Sequence, residues 1–216
     1  MRHLNQLLVI ATVLASSARA AIARDADPAN EILLRATSPY EDMVEAALAK
    51  DDKGVTEALA AADDDAAAVR EKLSASAAEE FAKRLLSLHA SAGAKDYQKA
   101  ATLAVGEFRL LLDGVHPDAL SNPQEVNLLD YAGFQLHVLA AAPKPDWKAI
   151  RRVVDDAAAW WKATKPRVKD RALSDAFSST IRGLHEAAES ENLAMLEFAA
   201  QMDLDLVDLL ENFFEP

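Results

Sequence analysis

From about residue 38 to the end of the chain, apolar residues recur at intervals of three and four, with polar residues on the opposite face. That period is helical. No segment alternates with period two for more than a few residues. Alanine is abundant and glycine rare, which favours helix throughout. The pattern predicts eight helices, at about 39–50, 53–72, 77–92, 95–113, 123–141, 147–163, 167–190 and 193–214. A further short helix is suspected over Glu31 to Arg35. Start signals accompany several of them. Ser38-Pro39-Tyr40-Glu41, Ser76-Ala77-Ala78-Glu79 and Asn122-Pro123-Gln124-Glu125 read as capping boxes, and Asp146 and Asn192 as single caps. Short connections make successive helices antiparallel neighbours. The expected class is therefore all-α.

The pattern also repeats. Residues 53–113 slide onto 148–209 with a shift of about 95 positions. Val55 then meets Ile150, Leu59 meets Val154, Ala62 meets Ala157 and Leu73 meets Val168. One residue of slippage later, Phe81 meets Phe177, Leu85 meets Ile181, Leu88 meets Leu184 and His89 meets His185. Glu107 falls over Asp203 and Leu110 over Leu206. The expected architecture is a tandem duplicated antiparallel bundle. Two up-down four-helix units, 38–114 and 123–214, follow an N-terminal segment at 21–37. The helix at 123–141 is apolar around nearly its whole circumference, through Leu128, Leu129, Tyr131, Phe134, Leu136, Val138 and Leu139. Such a helix is buried on all sides. It is expected at the centre, fusing the two units into one body.

The N-terminus changes the expected compartment. Arg2 and His3 precede an apolar stretch from Leu7 to Ala15, too short to span a bilayer, and Ala18-Arg19-Ala20 is a small-x-small site. Residues 1–20 read as a cleaved secretory signal, with a second possible site after Ala23. A periplasmic location and no membrane insertion after cleavage are expected. Removing those residues takes away two arginines and no acids, so the formal charge moves from −12 to −14. An acidic chain repels phosphate backbones, which argues against nucleic acid. It suits cation capture or a basic envelope partner. The 216 residues contain no cysteine. Haem c, thiolate zinc, blue copper and iron–sulfur clusters are thereby excluded, and stability must come from packing.

Projected at 100° per residue, Asp203 falls inside an apolar arc with Leu196, Ala199, Val207 and Leu210. Glu107 falls among Ala100, Leu103, Ala104, Leu110 and Leu111. His89 shares a face with Phe81, Leu85 and Leu88, and His185 lies at the edge of the matching face. Asp130 and His137 lie seven apart on the central helix. Inward carboxylates and imidazoles from several helices are the ingredients of a bundle metal site. The candidate ligands are Glu107, Asp130, His137 and Asp203, with His89 and His185 behind them. The metal would be first-row: iron, zinc, manganese or copper. His89 and Glu107 differ by about 12 Å in height within their hairpin, so any site must join the repeats. The alternative is an internal polar network, with Arg109, Arg182, Tyr97, Tyr131, Trp160 and Trp161 as partners. In either case Glu107 and Asp203 should each meet a polar group from another helix, because an isolated buried carboxylate costs several kcal/mol. Trp147, Trp160 and Trp161 read as core or inter-unit contacts.

An exported tandem of four-helix units resembles the imelysin-like periplasmic proteins of iron uptake. Their His-x-x-Glu motif is absent, since His89, His116, His137 and His185 are followed at the third position by Ala92, Ala119, Ala140 and Ala188. The likeness is therefore one of architecture only. No His-Glu-x-x-His run, nucleophile elbow or phosphate-binding glycine loop occurs. The expected function is non-catalytic metal binding in the cell envelope. The alternative is a scaffold that holds a protein partner or small ligand on a helical groove.

Overall fold

The computed structural model describes residues 27–120 and 122–214. The expected signal peptide and both cleavage sites lie outside them. The described residues form nine α-helices and no strand: α1 (Pro28–Arg35), α2 (Ser38–Ala49), α3 (Asp52–Lys72), α4 (Ala75–Gly93), α5 (Tyr97–Gly114), α6 (Gln124–Ala140), α7 (Trp147–Thr164), α8 (Arg171–Glu189) and α9 (Leu193–Phe214). Short 3-10 turns cover Pro117–Ala119 and Lys165–Arg167. All eight expected helices are present, and the suspected one at 31–35 is α1. Among the described residues no helix is long and apolar enough to cross a membrane.

Each unit is a closed ring. α2 packs on α3, α3 on α4, α4 on α5 and α5 back on α2; α6 through α9 do the same. The matched positions agree in burial. Phe81 and Phe177 are fully buried, as are Leu88 and Leu184, and Glu107 and Asp203. The helix ends agree as well. Asp51 caps α3 and Asp146 caps α7, each accepting backbone N–H groups of the first turn. Ser74 and Asp170 cap α4 and α8. Asp96 and Asn192 cap α5 and α9. Just before that last pair of caps, Lys95 and Glu191 both turn left-handed, at φ 57° and 51°. The residue after each donates its N–H five positions back, Asp96 to Ser91 and Asn192 to Ala187, both at 2.9 Å. This is the Schellman closure, built twice in the same register.

The three capping boxes do not form. Thr37, with helical backbone angles, precedes α2, and its hydroxyl donates to the Leu34 carbonyl instead. The chain scarcely leaves helical geometry between α1 and α2, so no start signal is needed there. Pro123 stands at the cap of α6 without a side-chain bond, and α4 starts one residue before Ser76, capped by Ser74. Most real caps are aspartates, each taking up N–H groups that the helix leaves unpaired.

α6 sits where expected. Its Phe134 and Val138 belong to the first core, with Tyr40, Phe81 and Phe108. Its Leu129, Ala132 and Leu136 belong to the second, with Ile150, Phe177 and Leu184. The units join along α5 and α6. There Phe108 meets the edges of Tyr131 and Phe134, both at 6.1 Å between centroids. The Arg109 guanidinium lies 5.3 Å from the Tyr131 ring centre and 5.7 Å from that of Trp160. Trp160 is thus the inter-unit tryptophan. Trp161 is core, stacked on Phe177 at 4.6 Å.

Lys50 ends α2 in a left-handed conformation, at φ 56°, and is exposed. A residue with a Cβ is strained there, and glycine is not. Lys50→Gly should therefore raise stability by about 0.5–1 kcal/mol. A urea titration checks this; a lower midpoint would contradict it.

Candidate functional site

Of the expected metal ligands, Glu107, Asp130, His137 and Asp203 are buried or half-buried and His89 is exposed, and they are dispersed. Glu107 lies in the first core and Asp203 in the second. Among the described residues, no three His, Asp or Glu side chains stand close enough to hold one ion. The expected polar partners are also missing. Both oxygens of Glu107 and both of Asp203 are buried without a hydrogen bond.

The reason differs between the two acids. Arg84 on α4 is the cation nearest to Glu107 in effect, but it is already occupied. Its Nε donates to Glu80 at 2.8 Å and its Nη1 to the Gly106 carbonyl at 2.9 Å. A Cβ at Gly106 would lie 3.1 Å from that nitrogen, so the glycine lets the guanidinium rest on the backbone of α5. Burial pushes Glu107 up to about 8, Arg84 opposes the rise, and Glu80 adds to it. The nearby Tyr40 hydroxyl is also buried without a partner. Asp203 lies against α6 at Gly133, where an added Cβ would fall 3.3 Å from Oδ2 and 2.4 Å from Leu204 Cδ2. Burial alone holds Asp203 well above the usual carboxylate range. Burial thus favours the neutral, protonated form of both acids, which lessens the charge that an ordinary network would have to balance.

The histidines sit at boundaries. His89 Nε2 is 2.8 Å from Asp63 on α3, with both side chains nearly half-exposed. His185, its repeat mate, is 3.9 Å from Asp155 on α7. The inward placement expected for His89 gives way to this surface pairing. His137 is half-buried on α6, its Nε2 is buried without a partner, and burial lowers its pKa against an opposing Glu197. It lies about 10 Å along α6 from Asp130, too far to share a ligand.

Asp130 is the expected residue that faces an opening. A groove of about 530 Å³ lies between α2, α6 and α9. Glu41, Asp42 and Glu45 line it from α2, Asp130 from α6, and Asp205, Asp208 and Glu211 from α9. Leu34, Phe108, Phe134 and Leu204 supply apolar lining. Among the described residues no lysine or arginine lines it. Burial holds Asp130 well above the usual carboxylate range, and Glu41, Glu211, Asp203 and Asp208 push it further. Burial likewise raises Glu41 to about 7, opposed by Thr37 and reinforced by Glu211, Asp42 and Glu45. A second acidic depression, lined by Asp51 and Glu57, shares Asp42 and Glu45 with the first. The two acidic depressions, together called the trough below, flank Asp42 and Glu45 of α2.

The six acids beside Asp130 were not singled out from the sequence, yet a signal was present. α2 carries three acids, α6 two and α9 five, and none of these helices contains a lysine or arginine. Acids at Glu41 and Glu45, and at Asp205, Asp208 and Glu211, recur at helical spacing. Like charges so placed destabilise a helix by tenths of a kcal/mol each, on the order of 0.2–0.5. Three neighbouring helices that forgo compensating cations mark one face.

No protein-family model, curated protein or solved structure matches the chain.

Proposed function

We propose that this chain is a non-catalytic interaction protein of the cell envelope, exported to the periplasm, which holds a basic segment of a partner protein in the trough between its two repeats. The observation that carries this reading is the acidic lining. Seven carboxylates from three helices face one groove, and among the described residues no lysine or arginine lines it. Two of them, Glu41 and Asp130, are raised because burial and like charge disfavour their ionised forms. A bound ammonium or guanidinium would relieve both costs. Phe108, Phe134 and Leu204 offer apolar contact beside the charges. An amphipathic basic helix presents that combination to a groove. A single metal ion fits less well, because among the described residues no three ligands converge. The unpartnered carboxyls of Glu107 and Asp203 are what a metal reading would still rest on.

The probe is a synthetic amphipathic peptide of lysine and leucine, titrated calorimetrically at pH 7.5. Binding should weaken steeply with salt, since it exchanges counterions for fixed charges. Asp130→Asn, Glu45→Gln and Asp205→Asn together should weaken it at least tenfold, about 1.4 kcal/mol. Glu79→Gln, on the exposed face of α4, should leave it unchanged. Equal losses in both variants, or no binding at low salt, would overturn the reading. Stoichiometric binding of zinc or manganese without peptide binding would restore the metal reading.

A further inference from the structure

We infer that the α8–α9 hairpin is a self-docking face, on which the same hairpin of a second copy of this chain packs antiparallel about a two-fold axis. The first repeat supplies the internal comparison. Each repeat carries a groove between its last two helices, about 580 Å³ between α4 and α5 and about 440 Å³ between α8 and α9. The two linings correspond in position but differ in chemistry. Ser76 and Glu80 of α4 stand where α8 has Ala172 and Ala176, and Asp113 of α5 stands where α9 has Leu209. Alongside, Thr102 stands where α9 has Phe198. Leu110 and Leu206 are apolar in both. The first repeat closes its core with polar groups at these places, so packing within one chain does not call for apolar ones. Yet Phe198 is 69% exposed and Leu209 53%. Contiguous exposed apolar surface of this kind marks an association site.

The shape of the patch points to a second copy. Phe198, Met202, Leu209 and Phe213 lie at helical spacing along one side of α9, a stripe about 22 Å long. Read in either direction, the stripe runs aromatic, aliphatic, aliphatic, aromatic. Reversal about the point between Asp205 and Leu206 sets Phe198 on the second copy's Phe213 and Met202 on its Leu209. A self-complementary patch is what a two-fold contact requires. The charges agree with that direction. At the closed end of the hairpin, residues 186–197 hold Glu186, Glu189, Glu191 and Glu197 and no lysine or arginine. At the open end, residues 165–171 hold Lys165, Arg167, Lys169 and Arg171 against one acid, Asp170. Arg151 pairs with Glu191 at 3.4 Å and Asp175 with Arg171 at 3.5 Å, which leaves the sign of each end unchanged. Antiparallel packing lays each acidic turn beside the other copy's basic end. Asp205, Asp208 and Glu211 line the acidic groove on the α2 side of α9, so the docking surface proposed above stays open. A face two helices wide and about 22 Å long is at the small end for a stable interface, so the pair should form in the micromolar range.

Sedimentation equilibrium of the purified chain, from low to several hundred micromolar, should show its mass rising from one copy to two. Phe198→Glu and Leu209→Glu should each weaken association by roughly tenfold or more, with the far-ultraviolet helical signal unchanged. Leu86→Glu, at an exposed leucine on α4 away from the hairpin, should leave it intact. The chain lacks cysteine, so a spin label at Ser190→Cys, exposed at the α8–α9 turn, has no background. Antiparallel packing places the two labels at opposite ends of the pair, about 40 Å apart by pulsed electron paramagnetic resonance. A chain that stays single at every concentration would overturn the inference. So would association that survives both glutamate substitutions, or labels that lie side by side. Peptide titration at the acidic groove tests the docking reading separately.

Discussion

Raising the pH from 5 to 9 should destabilise this protein by several kcal/mol, and Glu107 and Asp203 should account for most of the loss. Both carboxyls are fully buried without a hydrogen-bond partner. Burial raises Glu107 from 4.5 to about 8 and holds Asp203 well above its ordinary value. Between the unfolded and folded values, the native state binds more protons than the unfolded chain. The slope of stability with pH is then negative. The contribution is intact below about pH 4.5 and is lost as pH rises through 8. For Glu107 the shift corresponds to an upper limit on the order of 3–5 kcal/mol, a large share of the stability of a domain. Asp27, Asp52 and Glu80 act oppositely, since hydrogen bonds lower their folded values and protonation below about pH 4 removes their contribution. The optimum should therefore lie near pH 5. Urea titrations at pH 5, 7 and 9 measure the profile. Glu107→Met should flatten it and make the protein more stable than wild type at pH 9, because a buried unpaired acid is replaced by an apolar side chain of similar length. A midpoint that rises with pH in wild type would show that the buried acids are ionised and paired.

Truncating either repeat's central phenylalanine should cost about 3–5 kcal/mol. Phe81 is fully buried beside Tyr40, its ring edge-on at 6.5 Å. Phe177 is fully buried and stacked on Trp161. Phe81→Ala and Phe177→Ala should be of similar size, because the two rings occupy one position of a duplicated core. The Phe177 change should also disturb the near-ultraviolet signal of Trp161, whereas the Phe81 change should leave it nearly intact. A loss below 1 kcal/mol at either site, measured by chemical denaturation, would remove that residue from the core.

Most of the architecture was legible because helical period and duplication are local signals that survive divergence. The shift of about 95 positions, read from apolar pairs alone, also aligns caps that carry no hydrophobic pattern: Asp51 with Asp146, Ser74 with Asp170, Asp96 with Asn192. The capping boxes misled because their spacing resembles a start signal wherever serine or asparagine precedes an acid or amide. Burial of Glu107 and Asp203 followed from projection onto one helix. Their lack of partners did not, since it depends on where Arg84 and the backbone of α6 fall in three dimensions. The groove was missed for a related reason. Asp205 and Asp208 are exposed on α9, and a helical wheel does not show that α2 and α6 bring their own acids to the same water.

The central claim is that the acidic trough is where this chain meets its partner. Backbone amide spectra, recorded at pH 7.5 while the lysine–leucine peptide is added, test it most directly. The account predicts shifts concentrated on the trough, at Thr37, Glu45, Asn127, Asp130, Gln201 and Leu204, with the outer faces of α4 and α8 undisturbed. Shifts scattered over the surface, or centred away from α2, α6 and α9, would contradict it.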